Sequence, residues 1–201
     1  KFPYKKIFHT QKKCGEILSY YQYYMETKII TASTTAKWVA QIPELENRLP
    51  ENCILDKGIT GCGATRLAIT NDRSTLIAAP TVNLIKNKMQ EHPDLLGVYG
   101  DVSNQEITDY LKTHDRWKIM ATYDAVPRVV DVAGAEIYSK AFLLVDEYHR
   151  LLFDYSFCHS AIAGLLKQAP RFASKTFLSA TPIEQEFLLD ELQGIPQVKI
   201  I

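Results

Sequence analysis

The sequence predicts an α/β fold, with a mostly parallel central sheet covered by helices on both faces and a helical lead-in at the N-terminus. Two observations support this prediction. From Cys53 onward, short apolar segments alternate with amphipathic stretches, which is typical of strands that alternate with helices. The apolar segments are apolar throughout, rather than at every second position, and this favours strands buried on both faces.

The composition fits one large soluble domain with a substantial core. Hydrophobic residues make up 46% of the 201 residues and charged residues 23%, which argues against disorder. Lys plus Arg and Asp plus Glu are 23 each, which excludes a histone-like, purely electrostatic nucleic-acid binder. No apolar run approaches the roughly 20 residues that cross a bilayer, and the four cysteines are widely spaced. We therefore expect a cytoplasmic protein with no membrane partner.

Residues 1–40 are predicted to form a helical extension ahead of the main domain, which would occupy residues 41–201. Large apolar side chains recur at helical spacing at Ile17, Leu18, Tyr21, Tyr24 and Met25. They predict an amphipathic helix with an aromatic core face, and a base-stacking surface is the alternative. A second helix is predicted from Ser33 or Thr34, either of which could cap it, through Val39.

The rest of the chain is predicted to alternate strands and helices. The strands are Cys53–Leu55, Thr75–Ala79, Leu96–Tyr99, Trp117–Ala121, Phe142–Val145, Thr176–Leu178 and Val198–Ile201. The helices are Arg66–Ile69, Val82–Gln90, Asn104–Lys112, Ser160–Gln168 and Ile183–Leu192. In such sheets ligands bind beyond the carboxyl ends of the strands, so the residues that follow each strand are the candidates for function.

The first predicted strand is followed by a glycine-rich loop, GITGCGAT, which begins at Gly58. Gly58, Gly61 and Gly63 would let backbone amides curve around an anion. Gly58, Gly63 and Thr65 match the phosphate-binding Walker A pattern, but Ala64 stands where that pattern has a lysine. Taken alone, the loop is better interpreted as a tight glycine turn without a ligand.

Two further strands end in residues suited to phosphate chemistry. Phe142–Val145 is followed by Asp146, Glu147, Tyr148 and His149. The first carboxylate of such a pair can bind magnesium and the second can polarise a water, whereas the alternative is a strand that ends in surface acids. The strand Thr176–Leu178 is followed by a small, hydroxyl-rich turn, Ser-Ala-Thr-Pro.

The Walker A-like loop, the Asp-Glu-Tyr-His motif and the Ser-Ala-Thr motif, in this order, resemble the first motor domain of superfamily 2 helicases, the DEAD/DEAH-box and related ATPases. The resemblance extends from about Gln41 to Ile201. It implies a RecA-like P-loop NTPase sandwich in which Thr176–Leu178 pairs with Cys53–Leu55 on one side and with Phe142–Val145 on the other.

The same resemblance implies roles for individual residues. Thr65 and Asp146 would hold Mg²⁺, and Glu147 would orient the water that attacks ATP. The residues expected to contact ATP are Gly58, Gly61, Gly63, Ala64 and Thr65, with Gln41 near the position of an adenine-reading glutamine. The residues expected to couple nucleotide state to strand binding are His149, Ser179 and Thr181. Two stretches of the sequence resemble segments that face nucleic acid in the family, so DNA or RNA is an expected partner. The residues expected to contact it are Pro80, Thr81, Asn83, Thr122 and Tyr123.

The sequence departs from the family in two ways. One is Ala64 in place of the Walker lysine, and we hypothesise that Lys57, immediately before Gly58, reaches the phosphates instead. Some phage packaging ATPases look similar in carrying a basic residue at the front of this loop; a solvated surface lysine is the alternative. The other departure is that no second RecA-like domain follows Thr181, and that domain supplies arginine fingers in the family. We therefore expect the N-terminal half of a larger motor.

The sequence thus predicts an ATP-binding, helicase-like hydrolase domain with ATP, Mg²⁺, DNA or RNA, and a second RecA-like domain as partners. Two alternatives stay open. One is a degenerate helicase half that binds nucleic acid or a partner without hydrolysing ATP, which Ala64 favours. The other is a phage-type DNA-packaging ATPase.

Overall fold

A computed structural model describes residues 27–201, in which eight strands form a single sheet between two layers of helices. The strands are β1 (Lys28–Ile30), β2 (Cys53–Asp56), β3 (Thr75–Ala79), β4 (Leu96–Val98), β5 (Lys118–Thr122), β6 (Phe142–Asp146), β7 (Ser174–Ser179) and β8 (Gln197–Ile200). The α-helices are α1 (Ala64–Thr70), α2 (Val82–Glu91), α3 (Asn104–Thr113), α4 (Val126–Ala133), α5 (Ile137–Lys140), α6 (His149–Phe153) and α7 (His159–Gln168).

The strand order is β1-β8-β2-β7-β6-β3-β5-β4, and every pair of neighbouring strands is parallel. The predicted α/β fold class is confirmed. The predicted neighbours of the Ser-Ala-Thr strand are confirmed as well, because β7 pairs with β2 through Thr176 and Cys53, and with β6 through Thr176 and Leu144. The carboxyl ends of β2, β7 and β6 therefore lie side by side.

The sheet has one apolar cluster on each face. β3 illustrates this: Leu76 and Ala78 belong to the cluster beneath α3, α4 and α7, whereas Ile77 and Ala79 belong to the cluster beneath α1 and α2. Both faces of a central strand are thus buried, which explains why its sequence is apolar at successive positions. Because both faces of the sheet are apolar and buried, polar functional side chains are expected at its carboxyl edge.

Two predicted helices do not form. The segment Ile183–Leu192 contains only two 3-10 turns, Gln185–Phe187 and Asp190–Leu192, because Leu188 and the residue after it are extended. Extended backbone covers more distance per residue than a helix does, and this segment has to return from the carboxyl edge toward the start of β8.

The helix predicted from Ser33 or Thr34 through Val39 is also absent. Trp38 is extended, and a single 3-10 turn follows at Val39–Gln41. The backbone N–H groups of Lys37 and Trp38 donate to the side-chain oxygen of Gln41, at 2.8 and 3.0 Å. A side chain that satisfies backbone donors in this way stabilises a non-helical conformation.

The structure also contains elements that the sequence pattern did not predict. These are β1 and the helices α4, α5 and α6. Of the extension predicted over residues 1–40, Lys28–Ile30 belongs to the sheet as β1. Residues 1–26, including the helical spacing between Ile17 and Met25, lie outside the described residues. No helix within residues 27–201 combines the length and the apolar character needed to cross a membrane.

Candidate active site

The carboxyl edge of the sheet brings three distant segments together. Lys57 directly follows β2, and its backbone N–H donates to the carbonyl oxygen of Ser179 at the end of β7, at 2.9 Å. On the other side of β7, the N–H of Tyr148 donates to the carbonyl oxygen of Leu178 at 3.0 Å. The glycine loop, the acidic turn after β6 and the Ser-Ala-Thr turn are therefore joined through their backbones.

Glycine is required at two positions of the loop between β2 and α1. Gly58 and Gly63 have φ values of 72° and 83°, a region that side chains disfavour. A Cβ atom on Gly58 would lie 2.9 Å from the carbonyl oxygen of Ile200, and one on Gly63 would lie 3.2 Å from the Trp38 ring. The loop is thus shaped both by backbone conformation and by close neighbours.

A lysine and two carboxylates form the centre of the site. The Nζ atom of Lys57 lies 2.7 Å from Oε1 of Glu147 and 3.8 Å from Oδ1 of Asp146. The hydroxyl of Thr65 donates to Oδ2 of Asp146 at 2.8 Å. Lys57 precedes the glycine loop and Thr65 follows it, so both ends of the loop are tied to the acidic turn.

These groups are buried, and burial affects their protonation. Lys57 is 7% exposed and Asp146 is 2% exposed. Burial disfavours the ammonium of Lys57, but the attraction of Asp146 and Glu147 outweighs it, so the pKa of Lys57 lies above its ordinary value. Burial raises the pKa of Asp146, and the Lys57 charge and the Thr65 hydrogen bond oppose that rise. Lys57 is therefore a buried cation at neutral pH.

A cavity of about 470 Å³ opens onto this cluster. Its lining includes Lys57, Thr65, Asp146 and Glu147, together with the loop from Gly61 to Ala64. One face of α2 completes the wall with Leu84, Lys88 and Glu91. The sequence analysis did not assign these three residues to the site, although their spacing along one helix face is a signal that could have found them.

A second cavity, of about 320 Å³, adjoins the first and shares Trp38, Gly63 and Arg66 with it. Gln41 and the 48% exposed ring of Trp38 line this second space. Because the side-chain oxygen of Gln41 accepts from Lys37 and Trp38, the glutamine fixes the segment that carries the tryptophan. Gln41 is predicted from the sequence to lie near a nucleotide, whereas the position of Trp38 beside it is evident only from the fold.

A larger cavity lies elsewhere. It measures about 580 Å³ and lies at the far end of α1, between the segments 46–48 and 70–72. None of the predicted site residues lines it. Volume therefore does not identify the candidate site, whereas the convergence of Lys57, Asp146 and Glu147 does.

The residues predicted to couple nucleotide state to strand binding form one chain of contacts. Nδ1 of His149 lies 2.8 Å from the hydroxyl oxygen of Ser179, which accepts from the backbone N–H of Thr181 at 2.8 Å. The same Nδ1 lies 3.3 Å from Oε2 of Glu147. Burial lowers the pKa of His149, and Glu147 partly opposes this. His149 thus connects the acidic turn to the turn after β7.

The five residues predicted to face nucleic acid fall into two groups. Thr81 and Asn83 are exposed at the start of α2, where the Thr81 hydroxyl accepts from the N–H of Leu84 at 3.3 Å. Pro80, before them, is half-buried. Thr122 and Tyr123 are buried, each 7% exposed. Nucleic-acid contact at all five stays a prediction.

No protein-family model and no curated protein matches the sequence. Among solved structures, the chain is similar to the crystal structure of the Pyrococcus furiosus Hef helicase domain, with a TM-score of 0.49 and 14% sequence identity. The alignment covers 95% of this chain but only 39% of that chain. Any function for this protein therefore has to be inferred from its own side chains.

Proposed function

We propose that this chain is a Mg·ATP-binding motor domain of a helicase-like protein, which couples ATP hydrolysis to the binding or remodelling of DNA or RNA. The observation that carries the proposal is the convergence of Lys57, Thr65, Asp146 and Glu147 on one cavity beside a glycine loop. A cation, a hydroxyl and two carboxylates are the groups that phosphoryl transfer requires.

Lys57 is suited to the part that a Walker lysine plays. Its ammonium faces the cavity, is buried and stays charged, whereas Ala64 carries no charge. Its present partner, Glu147, is an anion that entering phosphates can replace. Exchange of one anion for another leaves the buried cation paired throughout, so it avoids the cost of an isolated buried charge.

Thr65 and Asp146 fit a magnesium ion. Both present oxygen donors, which Mg²⁺ prefers, and their side chains are in direct contact. Bound Mg²⁺ would supply positive charge that neutralises the phosphates. Glu147, once released from Lys57, is free to orient a water. The adjoining cavity between Trp38 and Gln41 has an aromatic face and an amide for the base of the nucleotide.

The nucleic-acid part of the proposal rests on the exposed residues Thr81 and Asn83, which lie at the same edge of the sheet as the cavity. The proposal also includes a second RecA-like domain, which would supply an arginine finger to this site. A cytoplasmic location remains part of the proposal.

One observation favours a different function with the same fold. In the structure Lys57 neutralises Glu147, and a lysine fixed there permanently would leave the acid unable to activate water. The protein would then be a degenerate helicase half that binds nucleic acid or a partner without hydrolysing ATP.

The test is an equilibrium titration of the chain with fluorescent Mg·ATP, competed by unlabelled ATP, ADP and AMP. We expect binding that requires Mg²⁺ and is competed far better by ATP than by AMP, because the cluster recognises phosphates rather than the base. Absence of binding at millimolar nucleotide, or equal competition by AMP, would contradict the proposal. Binding without phosphate release when the second RecA-like domain is present, with or without added DNA and RNA, would support the degenerate alternative.

A further inference from the structure

Tyr123 makes a contact across the sheet that its sequence context did not suggest. It follows β5, and the acidic turn follows β6, with β3 lying between these two strands. The Tyr123 hydroxyl lies 2.7 Å from the carbonyl oxygen of Asp146 and 3.2 Å from that of Glu147, and it donates to them. The side chain therefore reaches over the end of β3 to hold the backbone of the acidic turn.

The turn that Tyr123 holds has an unusual conformation. Glu147 has a φ of 53°, in the left-handed region that a residue with a Cβ atom seldom occupies. Such conformations persist where the surrounding structure holds them in place, and they cluster at functional sites. The backbone conformation at Glu147 sets the direction of its side chain, which in turn reaches Lys57 at 2.7 Å.

We propose that Tyr123 is a positioning residue, whose hydroxyl fixes the left-handed turn at Glu147 and thereby aims the Glu147 carboxylate at the reacting water. This inference rests on the proposed function for its catalytic consequence, but the contact itself does not. Tyr123 does not itself line the cavity, and its hydroxyl contacts the lining residues Asp146 and Glu147 at their backbone carbonyl oxygens, so its effect passes through the backbone of the turn. Loss of the hydroxyl should loosen the turn and misdirect Glu147 without removing a phosphate-binding group.

A matched control exists at the opposite edge of the sheet. The hydroxyl of Tyr110 also contacts two backbone carbonyl oxygens, those of Asp94 at 2.6 Å and Lys118 at 2.9 Å. Tyr110→Phe therefore removes donation to two carbonyl oxygens, as Tyr123→Phe does, together with the 3.1 Å bond that the Lys118 N–H donates to the same hydroxyl, but far from the acidic turn. Both variants keep the aromatic ring, which limits the damage to packing.

The first readout is amide hydrogen exchange, measured without nucleotide on the wild-type chain and both variants. Tyr123→Phe should speed the exchange of the Glu147 and Tyr148 amides on the order of tenfold, the effect of losing one buried hydrogen bond. Tyr110→Phe should leave those two amides unchanged. Unchanged exchange in Tyr123→Phe, or an equal increase in both variants, would overturn the positioning role.

The second readout is Mg·ATP hydrolysis. Tyr123→Phe should lower kcat roughly tenfold while KM and the Kd of Mg·ATP stay within about twofold, because orientation rather than binding is lost. Tyr110→Phe should keep the wild-type kcat. Equal kcat in the Tyr123→Phe and wild-type proteins would also overturn the role. Hydrolysis is measured with the second RecA-like domain present, and a wild-type protein that hydrolyses nothing in that form would contradict the proposed function instead, while the exchange experiment would still decide whether Tyr123 fixes the turn.

Discussion

Two buried lysines lie at opposite edges of the same sheet. Lys57 follows the carboxyl end of β2 and is 7% exposed, whereas Lys118 begins β5 and is 9% exposed. Their burial is nearly equal, but their partners differ. Lys57 contacts two carboxylates. Lys118 donates to the carbonyl oxygens of Ala68 and Arg73 and to the side-chain oxygens of Asn71 and Thr75.

The difference in partners gives the two lysines opposite electrostatics. The carboxylates hold the pKa of Lys57 above its ordinary value. Burial, with a smaller contribution from the nearby Arg73 charge, lowers the pKa of Lys118 to about 8. All four oxygen partners of Lys118 belong to uncharged groups, so they offset its desolvation only in part.

The partners of a buried lysine, rather than its burial, therefore indicate what it can do. The anions around Lys57 can give way to another anion, and a cavity beside them has room for one. The oxygens around Lys118 belong to α1, to β3 and to the turn between them, and the lysine holds these segments together. This difference supports the proposed phosphate-binding role of Lys57, whereas Lys118 stabilises local structure.

The largest effect is expected for Glu147→Gln, which removes the charge that pairs with Lys57. Hydrolysis should fall by roughly 10²–10⁴-fold, because a positioned base is lost. The affinity for Mg·ATP should stay the same or rise, since Lys57 no longer has to leave a carboxylate. Phosphate release and nucleotide titration, measured on the same preparation, separate the two effects. Hydrolysis at the wild-type rate in this variant would show that Glu147 is not the carboxylate that orients the attacking water.

Lys118→Met should act on stability instead. It leaves the oxygens of the α1–β3 turn without their shared donor, and we expect a loss of about 2–4 kcal/mol in the free energy of unfolding. Urea denaturation measures this loss, and the Kd of Mg·ATP below the denaturation midpoint should stay within about twofold of wild type. If Lys118→Met is as stable as wild type, or if it folds but no longer binds nucleotide, then Lys118 does not have the purely structural role that distinguishes it from Lys57.

The smallest effect concerns pH. Lys118 has a folded-state pKa of about 8 and an ordinary value of 10.5, so between these values the unfolded chain binds more protons than the folded one. The contribution of Lys118 to the free energy of unfolding therefore rises with pH between these two pKa values. The advantage of wild type over Lys118→Met should grow by on the order of 1 kcal/mol between pH 7.5 and 9.5.

A Lys57→Met variant provides the control for this experiment. Because the folded-state pKa of Lys57 is raised, the residue is protonated in both folded and unfolded chains across the same range. The difference in free energy of unfolding between Lys57→Met and wild type should therefore not change with pH. The charge states assigned to the two lysines would be contradicted if the stability difference from wild type grew with pH for Lys57→Met or stayed constant for Lys118→Met.

The sheet could be predicted from sequence because its central strands are continuous apolar segments. β1 could not, since it has only three residues, Lys28–Ile30, of which two are exposed. Helix α4 was missed although Val126, Val129 and Val130 carry the required spacing. Ile183–Leu192 is the reverse case. Its sequence has a local helical pattern, but the chain forms only two 3-10 turns there, joined by extended residues, because it must reach the start of β8.

The place of the candidate site was predictable where its residues lie at or next to a strand end, as for Lys57 and Asp146. The contact of Tyr123 with the acidic turn was not, because it depends on two strands separated by a third. Lys118 likewise reads as an ordinary polar residue at the start of a strand. Only the fold brings its four oxygen partners together.

The most direct measurement is the Kd of Mg·ATP for wild type, Lys57→Met and Lys118→Met, side by side, with AMP as the control ligand. If Lys57 supplies the charge that Ala64 lacks, Lys57→Met should weaken Mg·ATP binding by roughly 10- to 100-fold, with Lys118→Met close to wild type. Equal affinity in Lys57→Met and wild type, or equal weakening in both variants, would show that Lys57 is not the phosphate-binding lysine.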